Sequence, residues 1–185
     1  MQIGTAFAFC DESGLTEDYR RTVVDHVLAG DARRVFTDPV ASPTDFPFKC
    51  VPVEGTVSEA ETYSERPRIC DLGYLREAYR AEDGSIGFRC ASEPVTVYVS
   101  KGGKPENTVN RKCLCNALMA NIGLAQVRNN GYVEKGLLTS GLDLNEIVQF
   151  FEPGRSSYTA SDVIRKLTSA VEELEPVCAA SAASD

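Results

Sequence analysis

The chain has 185 residues, is 43% hydrophobic and 25% charged, and carries a formal net charge of -8. That length suits one domain with a sizeable core. The acidic balance argues against an unaided nucleic-acid binder, which needs clustered cations, and Lys and Arg are scattered apart from pairs such as Arg20-Arg21 and Arg33-Arg34. No apolar run approaches the roughly 20 residues of a membrane span, and the start lacks a signal peptide's pattern, so the cytoplasm is the expected compartment. There the seven cysteines are expected to be free, metal-bound or buried rather than disulfide-paired.

In chain order, residues 2 to 9 are apolar and uncharged and read as a strand covered on both faces. The strand runs into the turn of Gln2-Ile3-Gly4-Thr5, where backbone N–H groups and the Thr5 hydroxyl could hold a phosphate. A helix follows from about Thr16 to Ala29, capped by Thr16 and led by Glu17 and Asp18. Its apolar stripe is Leu15, Tyr19, Val23, Val24, Val27 and Leu28, and Gly30 ends it. Residues 34–37 read as a short strand, and 48–53 as a second, placed at an edge by Pro52. Between them lie the turn residues Asp38-Pro39 and Ser42-Pro43-Thr44-Asp45-Phe46-Pro47. Residues 54–66 are acidic and polar, which predicts an exposed linker or surface helix.

From Arg68 the texture changes. Glu82-Asp83-Gly84-Ser85 is a turn. Glu93 to Ser100 alternates Val95, Val97 and Val99 as a strand would, or starts a short helix at Pro94. Lys101 to Pro105 is a loop, and Lys112 to Ile122 a helix stopped by Gly123. Asp143 to Glu146 resembles a capping box, opening a helix to Phe151 that halts at Pro153-Gly154. Thr159 caps a last helix whose buried face is Val163, Ile164, Leu167, Ala170, Val171 and Leu174. Residues 176–185 read as a frayed tail.

Two constellations carry candidate chemistry besides the Gly-Thr turn. Four thiolates, Cys70, Cys90, Cys113 and Cys115, could bind zinc tetrahedrally, although Cys113-Leu114-Cys115 is tighter than the usual gap. The alternative is that they are small buried hydrophobes. Cys10 and Cys50 read as packing residues, and Cys178 as an exposed thiol. His26, the single histidine, could act as a general base but sits mid-helix beside Asp25, where a half-buried or surface role fits better. Glu54, Glu59, Glu61 and Glu65 read as a solvated face. Lys101-Gly102-Gly103-Lys104 lacks the full phosphate-loop spacing and reads as a turn. Gly154-Arg155-Ser156-Ser157 reads as the connection that positions the last helix.

Gln2-Ile3-Gly4-Thr5-Ala6-Phe7, with Cys10, Glu12 and Ser13 just beyond, resembles the last barrel strand of the nitronate monooxygenase (2-nitropropane dioxygenase) family. Phe36-Thr37-Asp38-Pro39, Ser42-Pro43-Thr44 and Phe46-Pro47-Phe48-Lys49 are similar to the segment after the final barrel helix in a longer bacterial branch. Arg111 to Asn116, Gly154 to Tyr158 and Ser161 to Ile164 are similar to later landmarks of that branch.

The resemblance implies an α/β fold: residues 1–53 as the last β/α unit of an FMN-dependent (β/α)8 barrel with its following segment, 54–67 as a linker, 68–175 as a mainly helical cysteine-bearing extension, and 176–185 as a disordered tail. It implies that Gln2, Ile3, Gly4 and Thr5 form one wall of the FMN phosphate site. It implies oxidation of alkyl nitronates with O2 to carbonyl and nitrite, or enoyl thioester reduction in related barrels. A complete barrel takes about 250 residues, so the remaining strands and the family's catalytic histidine have no counterpart here. No catalytic residue is assigned, and the isolated chain is expected to be inactive. The companion expectations are a truncated product or a second chain completing the barrel. The alternative is a non-catalytic cysteine-bearing cap or interaction module, with or without a stabilising zinc.

Overall fold

The computed structural model describes residues 3–31 and 35–172, the last three without their side chains. Six helices and two antiparallel strand pairs follow one another among the described residues: α1 (Thr5–Ala8), α2 (Glu17–Leu28), β1 (Phe36–Asp38), β2 (Phe48–Cys50), α3 (Ala60–Glu65), β3 (Glu77–Arg80), β4 (Ile86–Arg89), α4 (Val95–Ser100), α5 (Leu114–Asn121) and α6 (Ala160–Glu172). Two single-stretch 3-10 helices, Pro105–Thr108 and Leu144–Phe150, complete the set. The architecture is mixed α/β with small sheets.

The local patterns that produced this are visible. In α2, Val23, Val24 and Val27 are buried while Leu28 at the stripe's end is exposed. Asp38 accepts the N–H groups of Val40 and Ala41, each at 3.0 Å, and so turns the chain out of β1. It returns as β2 in the register Phe36↔Cys50, Thr37↔Lys49 and Asp38↔Phe48. Gly84, at φ 83°, closes the β3–β4 hairpin. The helix alternative at Pro94 is realised as α4, with Tyr98 its buried residue and the three valines exposed. α5 ends at Gly123, φ 79°. Thr159 and Asp162 cap α6 reciprocally: Asp162 takes the Thr159 N–H at 2.8 Å and Thr159 Oγ1 takes the Asp162 N–H at 3.2 Å.

Several expectations are corrected. The strand expected over residues 2–9 is a helical turn at Thr5–Ala8, closed by the Ala8 N–H on the Gly4 carbonyl at 3.0 Å. A strand must find a partner for its backbone groups; no strand of the described residues pairs with this segment, and a turn satisfies itself. The helix expected from Asp143 is 3-10, and Asp143 makes no side-chain cap because its carboxylate is taken by Thr5. Ile164, expected to be buried, is 53% exposed. Gln2, Arg34, Leu174 and residues 176–185, together with the side chains of Ala170 and Val171, lie outside the described residues.

Residues 54–66 were expected to form an exposed linker or surface helix. α3 is such a helix, with no buried residue, and Glu54, Glu59, Glu61 and Glu65 are exposed, but Thr56 and Val57 are buried. The Val51 and Val57 N–H groups donate to the carbonyls of Leu138 and Gly136, so this stretch is stitched to a distant segment. The main core likewise draws on the whole chain: Ala6, Phe9, Val23, Val27, Val51, Val53, Leu138, Ile147, Tyr158 and Val163 pack in one cluster. Each large apolar side chain buried there contributes about 1.5–3 kcal/mol. Tyr158 is central. Its hydroxyl donates to the Ala6 carbonyl at 2.7 Å, and its ring meets Phe150 and Phe151. A smaller cluster gathers Cys50, Val57, Leu114, Ala117 and Leu137.

Candidate functional site

The Gly4-Thr5 turn opens on a cavity of about 610 Å³, within the size range of small-molecule sites. Three separate segments frame it: α1 with its preceding glycine, the middle of β2 through Lys49, and the irregular stretch Thr139 to Asp143. The α1 segment reaches it because Phe9 and Ala6 anchor the turn in the core. Lys49 reaches it because β2 alternates: its neighbours Phe48 and Cys50 face the smaller apolar cluster, and the residue between them points the other way.

The polar groups of this cavity are of two kinds. Thr5 is fully engaged. Its hydroxyl donates to Asp143 Oδ1 at 2.8 Å and accepts the Gly141 N–H at 3.0 Å. A Cβ at Gly141 would force the Asp143 carboxylate and the Thr5 hydroxyl to shift. The Ser140 hydroxyl, by contrast, is buried and has no hydrogen-bond partner. A buried hydroxyl without a partner costs about 1–3 kcal/mol, so it marks a place where a polar ligand or water would be favourable. Lys49 supplies the cavity's cationic side chain and Asp143 its anionic one.

Of the residues expected to hold a phosphate, Gly4 and Thr5 line this cavity. Ile3 is half-buried and packs against the main core. Gln2 lies outside the described residues. A Cβ built on Gly4 would meet no atom within 4 Å, so the turn itself tolerates a side chain. Lys49, Thr139, Ser140 and Asp143 were not expected as site residues. The only signal for Thr139 and Ser140 in the sequence is a run of hydroxyl residues before a glycine, which reads equally well as a plain turn.

The four cysteines expected as zinc ligands do not act as one set. Among the described residues no group of three or more His, Cys, Asp or Glu side chains could hold a metal ion. Cys113 Sγ accepts a hydrogen bond from Asn116 Nδ2 at 3.4 Å. The Cys115 thiol is pushed up by burial. The bond that Cys70 accepts from the Cys90 thiol, with the Arg76 guanidinium, draws Cys70 below the usual thiol range; donating that bond, together with burial, pushes Cys90 up. Cys10 and Cys50 are buried packing residues, and burial holds the Cys50 thiol up at about 11.

His26 lies on α2, away from the cavity, with Nδ1 3.0 Å from Asp31 Oδ2. The Lys101 to Lys104 segment is a turn, with Gly102 at φ 75° and Gly103 packed under the Tyr98 ring. Arg155 reaches Asp162 of α6 at 3.4 Å, which fits the positioning role expected of residues 154–157. No helix of the described residues is long and apolar enough to cross a membrane. Comparison of the chain with protein-family models, curated proteins and solved structures finds no match.

Proposed function

We propose that the cavity between Gly4, Lys49 and Ser140 binds the phosphate of FMN. In this reading the chain is the C-terminal, phosphate-side portion of a cytoplasmic flavin-dependent oxidoreductase of the nitronate monooxygenase kind. The observation that carries the reading is the meeting of a lysine and a buried, unpartnered serine hydroxyl at the turn whose sequence resembles the family's phosphate segment. A phosphate takes hydrogen bonds and positive charge together, and Lys49 and Ser140 offer one of each.

The fit is partial in a defined way. The Thr5 hydroxyl has already given its proton to Asp143, so its part is to position Gly141 and Asp143 rather than to donate to a ligand. Asp143 opposes an anion. α1 has four residues, too short for a helix dipole to add much. The residues that would hold the phosphate are therefore Lys49, Ser140 and the exposed Thr139 hydroxyl, with Gly4 leaving room for it.

When bound, the flavin supplies the redox chemistry, which by the resemblance is oxidation of an alkyl nitronate with O2 to a carbonyl and nitrite. Enoyl thioester reduction is the alternative substrate chemistry. Among the described residues lining the cavity there is no histidine, so these residues are assigned cofactor binding and not proton transfer.

The test is a titration of the chain with FMN, riboflavin and inorganic phosphate, followed by flavin fluorescence and calorimetry. FMN should bind, phosphate should compete with it, and riboflavin, which has no phosphate, should bind far more weakly. Lys49→Met should weaken FMN by about 1.5–3 kcal/mol, the worth of a charge-assisted hydrogen bond, with riboflavin unchanged. Equal binding of FMN and riboflavin would rule the phosphate site out. A second reading, a non-catalytic cap over a partner, is favoured by the β3–β4 hairpin, where Ile86 and Phe88 are 69% and 58% exposed. Such a cap would bind neither FMN nor phosphate.

A further inference from the structure

Lys112 is the one buried lysine of the six in the chain, at 7% exposure. Lys101 pairs with Glu93 at 2.8 Å. The Lys112 ammonium has no carboxylate within ion-pair distance among the described residues; it lies 4.2 Å from the centre of the Tyr63 ring. That contact is fixed from both sides. The Lys112 N–H donates to the Ala41 carbonyl at 2.8 Å. The Tyr63 hydroxyl donates to the carbonyl of Arg111, the preceding residue, at 2.7 Å and accepts from Arg68 Nη1 at 3.2 Å. Tyr63 itself packs against the apolar cluster of Cys50, Val57, Leu114, Ala117 and Leu137.

A buried ammonium is ordinarily paired, because taking its charge out of water is costly. Lys112 has the burial without the pair, and burial draws its ammonium below the ordinary lysine range. The consequence is chemical. An amine freed of its proton by desolvation is a nucleophile, and the ring face beneath it holds a cation formed there. An iminium spreads its charge over carbon and nitrogen and has fewer N–H groups to hydrate than an ammonium. It therefore suits a site of ring and aliphatic carbon better than the ammonium does.

We propose that Lys112 is a covalent capture site for small aldehydes, which its amine binds as an imine. The Nζ lone pair attacks the carbonyl carbon, and the π pair of the C=O bond moves to oxygen. A proton passes from nitrogen to that oxygen through solvent and gives a carbinolamine. The hydroxyl then leaves with the remaining nitrogen proton as water, and the C=N bond forms. Nothing is oxidised or reduced, and water reverses the step. A proton from solvent converts the imine to the iminium that the Tyr63 ring holds. The small exposure of Lys112 restricts the site to aldehydes of a few atoms. The proposal is independent of the phosphate cavity, whose lysine is Lys49.

The experiment treats the full chain, in an amine-free buffer near neutral pH, with acetaldehyde and cyanoborohydride, which reduces an imine to a stable secondary amine. Timed samples are peptide-mapped at every lysine. Lys112 should be alkylated ahead of the exposed Lys104, Lys135 and Lys166, and it should lose that lead in urea. Benzaldehyde, too bulky for the site, should reverse the order. In Tyr63→Leu, which removes the ring, alkylation of Lys112 should slow. Tyr63→Phe keeps the ring and should keep the lead, which leaves the test informative if Tyr63→Leu fails to fold. The proposal is overturned if the exposed lysines take acetaldehyde as fast as Lys112, if the lead survives in urea, or if folded Tyr63→Leu is alkylated at the parent rate.

Discussion

Asp143 is the residue on which the phosphate reading turns. It holds Thr5 at 2.8 Å and places a negative charge on the cavity that Lys49 would neutralise. Asparagine keeps the accepting oxygen and removes the charge, so Asp143→Asn should leave the Thr5 bond in place and tighten phosphate and FMN binding. Removing a like charge near the surface is worth on the order of 1 kcal/mol, and calorimetry at low salt should show the gain shrinking as salt is added. Weaker binding by Asp143→Asn would mean that the carboxylate itself contacts the ligand. Tyr158 gives the matching statement for the core. Its hydroxyl is the buried partner of the Ala6 carbonyl, and Tyr158→Phe would leave that carbonyl unpaired. The expected cost is about 1–3 kcal/mol, read as a lower urea midpoint at unchanged slope.

At the scale of elements, the short-range patterns proved legible and the long-range ones did not. α2, the β3–β4 turn, α5 and the Thr159 cap were readable because each is set by neighbours within a few residues: an apolar stripe, an Asp-Gly pair, a terminating glycine, a Thr-x-x-Asp cap. Because that cap is made on both sides, Thr159→Ala should destabilise by about 1 kcal/mol, with amide exchange rising first in the opening turn of α6. Uniform exchange along α6 would show that core packing alone holds it. The stretches misread, residues 3–9, Thr56 with Val57, and the helix start at Asp143, are those whose conformation depends on distant partners. An apolar run suits a covered strand or a buried turn equally, and only the availability of a pairing edge decides between them.

Across the whole molecule, much of the irregular chain is held by buried charge rather than by sheet. Arg66 Nε pairs with Glu134 at 2.6 Å, both nearly inaccessible, and Arg128 bridges Glu134 to Asp71. Arg68 adds bonds to the carbonyls of Ala91, Glu93 and Thr108. Together these arginines tie residues 66–71, 91–93, 108 and 128–134 into one body. The Arg128 guanidinium, with the Asn116 amide, holds the Asp71 carboxyl well below the usual carboxylate range. A depressed folded value means stability that is present above the unfolded value, near ~4, and is lost as pH falls through the folded one. The stability gap between the parent and Asp71→Asn should therefore be full at neutral pH and narrow below about pH 4, measured as urea midpoints across that range. A gap independent of pH would remove Asp71 from the acid response.

By itself the sequence determined the local elements, the acidic net charge and the presence of a Gly4-Thr5 turn. Those depend on contacts within a few residues or on totals. The tertiary structure decided that Thr5 bonds Asp143 and Gly141, more than 130 residues away, that Lys49 and Ser140 share its cavity, and that the described cysteines form no metal-holding group. These outcomes rest on which surfaces meet when the core closes around Tyr158, and no local propensity encodes that meeting.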